Sequence, residues 1–366
     1  MRVLLVSPLY PPQVGGAAGY VRTLVEQMPG LERVELIRVL APLSIGSTLV
    51  QRHGARVMVL SALFPAGASK YGLRSIGFAW NQAVFFLLIP FFSRIWRIDV
   101  VVFHSRFSMI KGRRQHRVLS YVLPLICQGI FVWDIRCPGE VPRHAGRFAA
   151  VLCASQSVFQ KARQWWPEDR CFLTGVPFTL APVSSDGGDG VRRFRPYACY
   201  VGDVHAGKGI PELVAAWGRT RRQDKLRLVL VGPNRMGTQL NNLLADRPDI
   251  EYLGPLPHEQ ALAVLDNAEL LVYPSHSEGL PRTCLEGLAL GKRVVLPPGV
   301  PEFQEHCAEF VLDRVTPDAI AETVERVLAS PKVPHYPLEQ HDSARVVGRF
   351  VESLAQILAR ANNHST

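Results

Sequence analysis

Residues Val272–Glu302 read VYPSHSEGLPRTCLEGLALGKRVVLPPGVPE. Leu270–Tyr273 is short, apolar and β-prone, and Pro274 ends it, so the spacing predicts a strand. Pro274–Pro281 carries Pro, Ser and Gly and reads as a loop. Arg282–Leu290 has helical character and stops at Gly291, a helix-terminating residue. Arg293–Leu296 is again a strand pattern. The segment is therefore one strand–loop–helix–strand unit, the building block of a parallel sheet. Two glutamates frame the helix start, Glu278 in the loop and Glu286 in the helix, eight positions apart. A helix start offers free N–H groups and a positive dipole end to an anion. Carboxylates on either side would accept bonds from hydroxyls, which abound on sugars and ribose. By spacing alone, a loop acid and a solvated helix acid are an equally good account.

The same alternation extends outward in both directions. Upstream in the second half, strand patterns fall at Ala198–Val201, Arg227–Val231 and Ile250–Leu253, and downstream at Phe310–Leu312. Helical patterns such as Ile210–Arg219 and His258–Asn267 lie between them. In the first half, strand patterns fall at Val3–Ser7, Val34–Val39, Ala55–Leu60, Asp99–Phe103, Gly129–Trp133 and Ala150–Cys153. Ala181–Gly190, APVSSDGGDG, has linker composition. The expectation is two doubly wound α/β domains, residues 1–182 and 190–340. The helix-like stretch 341–366 should pack near the junction or back on the first domain. Ligands of such sheets sit beyond the carboxyl ends of the strands.

Composition narrows the class. Of 366 residues, 48% are hydrophobic and 20% charged, which excludes a disordered chain and leaves material for two cores. Seven cysteines are scattered without a C-x-x-C, which favours reduced thiols and a cytoplasmic setting over a zinc cluster or a secreted framework. MRVLLVSPLYPP is too short in its apolar run for a signal peptide, and no run suffices for a membrane span. Residues 1–182 carry 21 Lys and Arg against 8 Asp and Glu, and the remainder 20 against 23. The first half is thus strongly basic, which suits nucleic acid, an anionic membrane or an acidic substrate. No nucleic-acid motif accompanies the charge, so nucleic acid is not expected.

Other candidate motifs are weaker. Gly202–Gly209, GDVHAGKG, matches G-x-x-x-x-G-K, but Gly209 stands where a phosphate loop needs Ser or Thr. Lys208 in a Gly-rich turn still suits phosphate oxygens. Gly15–Gly19 does not fit a dinucleotide fingerprint. The Asp186–Asp189 acids lie in the linker, and no metal motif is visible. No H-E-x-x-H or G-x-S-x-G supports a hydrolase.

Taken in order, these pieces resemble one family. Glu278 and Glu286 resemble the E-x7-E signature of retaining glycosyltransferases of family 4, which have the GT-B fold of two Rossmann-like domains facing each other across a cleft. PQVGG at 12–16, VGDVHAGKG at 201–209, VGPN at 231–234, YLGPLP at 252–257 and VPE at 300–302 occur in the expected order. The likeness is strong from Tyr197 to Glu302 and loose between Arg38 and Val132. It implies that Glu278 holds the transferred sugar and Glu286 the ribose. It implies that Lys208 neutralises the leaving diphosphate, aided by Gly279, Leu280 and Arg282. Gly16 would lie against the donor, and Gly232 and Asn234 would border the base. Two positions depart from the pattern. Asp203 stands where similar proteins often carry an arginine. In Trp133–Glu140, WDIRCPGE, Trp133 replaces the histidine of a His–Asp pair, while Asp134 and Arg136 remain. Asp134 would bond an acceptor hydroxyl and Arg136 a phosphate; a loop-fixing Asp–Arg pair is the other account. His104 ends an earlier strand on the acceptor side, and is also readable as a satisfied strand-end histidine.

The resemblance implies a metal- and cofactor-independent transferase using a nucleotide diphosphate sugar, with catalysis by Glu278, Lys208 and Asp134. The basic first domain favours a glycan or lipid-linked acceptor, as in cell-envelope polysaccharide or glycolipid synthesis. A non-catalytic scaffold and a sugar phosphorylase are the competing readings. Lys70–Arg97 surrounds an apolar stretch containing Trp80, Phe85, Phe86, Phe91, Phe92 and Trp96 with Lys70, Arg74, Arg94 and Arg97, and Arg106–Arg117 adds five more cations. Such a segment suits peripheral attachment to an anionic lipid surface, where each Lys or Arg contributes roughly 1 kcal/mol. A buried helix with solvated charges is the alternative.

Overall fold

The structure is a computed structural model that describes residues 1–7, 10, 16–42, 50–53, 57–62, 86–104, 121–144, 146–183, 194–220 and 226–363. Close contacts divide the chain into two units, Met1–Pro177 with Gln340–Thr366, and Phe178–Glu339. PQVGG up to Gly15, most of the Ala181–Gly190 stretch, Lys70, Arg74, Trp80, Phe85 and Arg106–Arg117 lie outside the described residues.

The first unit is built on an eight-stranded sheet, ordered β3-β4-β2-β1-β5-β6-β7-β8. Its strands are β1 (Arg2–Val6), β2 (Leu36–Pro42), β3 (Val50–His53), β4 (Val57–Ala62), β5 (Val100–His104), β6 (Ile130–Ile135), β7 (Ala150–Cys153) and β8 (Cys171–Leu173). Only β3 runs antiparallel, paired to β4. The helices are α1 (Gly16–Gln27), α2 (residues 86–95), α3 (residues 121–126), α4 (Gln156–Ala162) and, at the chain's end, the 21-residue helix Ser343–Asn363.

Alternate strand residues point to opposite faces, and both faces are covered, as parallel sheets require. Val3, Leu5, Val100, Val102 and Val132 meet Tyr20, Val21 and Leu24 of α1 and Val347, Phe350, Val351 and Leu354 of the last helix. Leu4, Val6, Val101, Phe103, Phe131 and Trp133 form the other face with Ile89, Leu123, Phe148 and Val158. The last helix therefore completes the first unit's core. A buried side chain such as Phe350 contributes about 1.5–3 kcal/mol there.

The second unit has a five-stranded, wholly parallel sheet, ordered β11-β10-β9-β12-β13. Its strands are β9 (Tyr197–Val201), β10 (Arg227–Val231), β11 (Ile250–Gly254), β12 (Leu270–Val272) and β13 (Arg293–Val295). Helices α5 (Ile210–Trp217), α6 (Thr238–Leu244), α7 (His258–Asp266), α8 (Arg282–Ala289), α9 (Pro301–Cys307) and α10 (Pro317–Ala329) follow the strands, and Ser343–Asn363 is α11. The strand expected at Phe310–Leu312 is reduced to one bridge between Leu296 and Val311, because a 3-10 turn occupies Ala308–Phe310. The strand order reverses between β9 and β12. That is the topological switch point, where the loops after adjacent strands diverge and leave a crevice.

Candidate active site

Both loops at that switch point carry candidate residues. After β9 the chain passes through a 3-10 turn, Ala206–Lys208, and Gly209 at φ 73° before α5. A Cβ on Gly209 would lie 2.0 Å from the Pro274 carbonyl oxygen. Glycine is thus demanded by the approach of the loop after β12. The two loops are further tied by His276 N–H donating to the Gly207 carbonyl at 3.2 Å.

This approach brings the Lys208 ammonium to Glu278, and the two form an ion pair. Glu278 is buried, and Lys208 lies 5.7 Å from the centre of the Tyr273 ring, which stacks on Tyr200. Burial, and next to it the Glu278 charge, raises the Tyr273 hydroxyl well above its usual range, so that phenol stays neutral. Burial and the neighbouring Lys208 lower the His205 imidazole, whose Nδ1 accepts from the Gly207 N–H.

Glu286 sits one turn into α8 and is also buried. It accepts from Arg282 Nε at 3.2 Å and faces His258 Nε2 at 2.8 Å. Arg282 lies at the first position of α8, which leaves its own N–H and that of Thr283 at the open positive end of the helix. Gly279 and buried Leu280 precede it in the loop. The site thus has two buried carboxylates, each neutralised by a cation, on either side of a helix N-terminus. A diphosphate would draw Lys208 and Arg282, leaving both carboxylates for hydroxyls.

Two expected donor residues are occupied by their own backbone. The Asn234 amide donates to the Gly237 carbonyl and accepts from the N–H groups of Met236 and Gly237, so it fixes its loop. A Cβ on Gly232 would meet the Gly202 carbonyl oxygen at 1.9 Å, so Gly232 permits close contact of two loops. Asp203 faces Arg235 at 3.4 Å on the exposed rim. His258, which the sequence reading missed, opens α7, and its position at a helix start was the available signal.

In the first unit, β5 and β6 place His104 directly beside Asp134 in register. His104 Nδ1 lies 2.6 Å from Asp134 Oδ2, with both side chains buried. Tyr20 of α1 donates its hydroxyl to Asp134 Oδ1 at 3.5 Å and stacks on the imidazole at 4.9 Å. The Arg136 guanidinium lies over the Tyr20 ring at 4.0 Å. Asp134 engages the imidazole at Nδ1, so Nε2 is the ring nitrogen turned away from the carboxylate. His104 Nε2 and Arg136 Nη1 are buried and have no hydrogen-bond partner among the described residues.

This arrangement corrects two readings. The His–Asp pair is present, but its histidine comes from β5. Trp133 points to the opposite face, stacked on Phe148 at 4.4 Å within the core. Asp134 is fully buried with both oxygens engaged, so it holds His104 instead of reaching a substrate itself. Gly16 starts α1. Among the described residues, no three His, Cys, Asp or Glu side chains are grouped to hold a metal ion, and no helix is long and apolar enough to cross a membrane.

Residues 195–330 match the model of the family Glycosyl transferases group 1. The chain is 25% identical over 338 residues to the 2-deoxystreptamine N-acetyl-D-glucosaminyltransferase of Streptomyces fradiae, covering 80% of each. It is 26% identical over 208 residues to the putative teichuronic acid biosynthesis glycosyltransferase TuaC of Bacillus subtilis, covering 52% of this chain and 51% of that one. Among solved structures, sucrose-phosphate synthase from Thermosynechococcus elongatus superposes with a TM-score of 0.68 at 16% identity, over 100% of this chain and 98% of that one. The Anabaena protein HepE in complex with UDP and glucose gives 0.64 at 15% identity, over 100% and 99%. The fold is GT-B, and the chain is a glycosyltransferase with a group 1 domain in its second unit.

Proposed function

We propose that this enzyme is a retaining, metal-independent transferase that moves a sugar from a nucleoside diphosphate sugar to a glycan or lipid-linked acceptor in cell-envelope glycan assembly. The observation that carries the reading is the pair of buried, cation-matched carboxylates, Glu278 and Glu286, flanking the open end of α8. Lys208, Arg282 and the helix N-terminus supply the positive charge that a departing diphosphate needs, and so take the place of a metal. Glu278 orients the sugar and Glu286 the ribose. The first unit's cluster serves the acceptor: His104 Nε2 receives a hydroxyl, Arg136 faces an anionic group, and Asp134 positions the imidazole. The relative named as a putative teichuronic acid biosynthesis glycosyltransferase supports a glycan acceptor, and the one named for 2-deoxystreptamine supports a hydroxyl-bearing acceptor.

The direct test is a thermal-shift panel with UDP, GDP, ADP, CMP and dTDP, each with and without EDTA. A ligand bound only by the folded state raises Tm. Stabilisation by one nucleoside diphosphate, undiminished by EDTA, is expected. Stabilisation by none would favour a scaffold. The anomeric configuration of the product from the matching sugar nucleotide then tests retention.

A further inference from the structure

Helix α2 packs Ile89 and Ser93 inward and carries Leu87, Phe91 and Ile95 on its outer face, exposed by 71%, 57% and 58%. Their spacing of four places them in one stripe along the helix. Helix α3 repeats the pattern, with Leu123 buried and Tyr121 and Leu125 exposed. The two helices are neighbours, since the Gln128 N–H just after α3 donates to Ser93 Oγ of α2 at 3.1 Å. Ile89 and Leu123 pack into the same core cluster on one face of the sheet, so the five exposed apolar side chains lie on that side of the first unit. Such contiguity on a protein surface marks an interaction site.

The charges carried by this stretch of the sequence are nearly all of one sign. Neither helix contains an acidic residue, and exposed Arg94 and Arg97 border the stripe. Over residues 54–133 the sequence has ten Lys and Arg and a single acid, Asp99. The Asp99 carboxylate is turned away into the sheet, where it accepts from the Arg2 N–H at 2.8 Å. A second copy of this chain in a two-fold contact would set these cations against each other. An anionic bilayer offers both halves of the match, apolar interior for the stripe and negative headgroups for the arginines.

We propose that the outer faces of α2 and α3 form a docking surface for anionic phospholipid, with Leu87, Phe91 and Ile95 entering the headgroup–acyl boundary and Arg94 and Arg97 held at the phosphates. The surface uses none of the donor residues, so it stands apart from the transfer chemistry and can fail or succeed without it.

The test is cosedimentation of the full chain with phosphatidylcholine vesicles and with vesicles that also contain phosphatidylglycerol. Binding only to the second kind is expected, and it should weaken as salt rises. Leu87→Ser/Phe91→Ser/Ile95→Ser should bind those vesicles at least about tenfold more weakly, while Tm and nucleotide stabilisation stay as in the parent. Arg94→Glu/Arg97→Glu should lose the preference for anionic lipid. Absence of vesicle binding by the parent chain would overturn the proposal, as would binding by both variants as tight and as selective as the parent's. A dimer abolished by the triple serine variant, without vesicle binding, would assign the surface to a second copy instead.

Discussion

At the scale of single residues, the proposed donor site is held in a form that a nucleoside diphosphate sugar would have to rearrange. Lys208 is bonded to Glu278, yet the reading above gives the lysine to phosphate and the carboxylate to sugar hydroxyls. Glu278→Gln keeps the shape and removes the charge that competes for Lys208. Free nucleoside diphosphate should then bind as tightly as before or more tightly, while transfer falls by about a hundredfold or more, since a charged sugar contact is lost. Titration calorimetry with the diphosphate, beside turnover of the sugar nucleotide, separates the two effects. Glu286→Ala has a different signature. Because Glu286 is buried, pairs with Arg282 and is hydrogen-bonded to His258, its removal should cost stability of about 1–3 kcal/mol as well as nucleotide affinity of about tenfold. By spacing alone a solvated helix acid is an equally good account, and such an acid would be removed with little effect on the fold. A Tm unchanged in Glu286→Ala would return it to that description, and unchanged affinity would end its ribose role.

At the scale of elements, most of the sheet was legible because its strands are apolar runs bounded by Pro, Gly and polar residues. β7 and β10 lie within the ranges read from sequence, and β1, β5, β6, β9 and β11 within one or two residues. The strands missed were those lacking that signal. β3 reads Val-Gln-Arg-His and lies exposed at the edge, and β8 is a three-residue strand at the other edge. The candidate site was legible for the same reason where it lies on one strand–loop–helix unit, as Glu278, Arg282 and Glu286 do. It was illegible where partners come from separate strands. Nothing in WDIRCPGE indicates that His104, thirty residues upstream, supplies the imidazole for Asp134; only the register of β5 on β6 does so. The loop elements carry their own prediction at Gly209. Gly209→Ala places a Cβ against the Pro274 carbonyl in a backbone conformation that alanine resists. Strain of about 1–3 kcal/mol should appear as a Tm lower by several degrees, and the displaced Lys208 should weaken diphosphate binding. A variant with parental Tm and parental affinity would show that the two loops do not need this approach.

At the scale of the whole molecule, the two units differ in how the chain makes them. The second unit is one continuous stretch, Phe178–Glu339, whereas the first needs the chain to return after it. Of the proposed donor residues, Lys208, Glu278, Arg282, Glu286 and His258 lie in the continuous stretch, and Gly16, expected to lie against the donor, lies in the first unit. The second unit's sheet and the helix α8 have their own buried residues, with Leu228, Leu230, Leu271 and Val294 of the strands and Leu285 of α8 fully enclosed. Residues 178–339 expressed alone should therefore fold cooperatively and keep the affinity for nucleoside diphosphate, while transferring nothing, since the proposed acceptor cluster of His104, Asp134 and Arg136 is left behind. Residues 1–177 alone should not fold. They would lack Val347, Phe350, Val351, Leu354 and Ile357, which close one face of the eight-stranded sheet. Losing one such aromatic costs about 3–5 kcal/mol, and the whole stripe exceeds the usual margin of a domain. Supplying the α11 segment through a flexible linker after residue 177 should restore a cooperative melt. Circular dichroism melting of the three pieces, with the best-binding nucleoside diphosphate present and absent, reads both expectations at once. A cooperative transition in residues 1–177 would show that α11 is dispensable to the core it covers. A folded 178–339 piece that the nucleotide fails to stabilise would show that donor binding needs residues of the first unit.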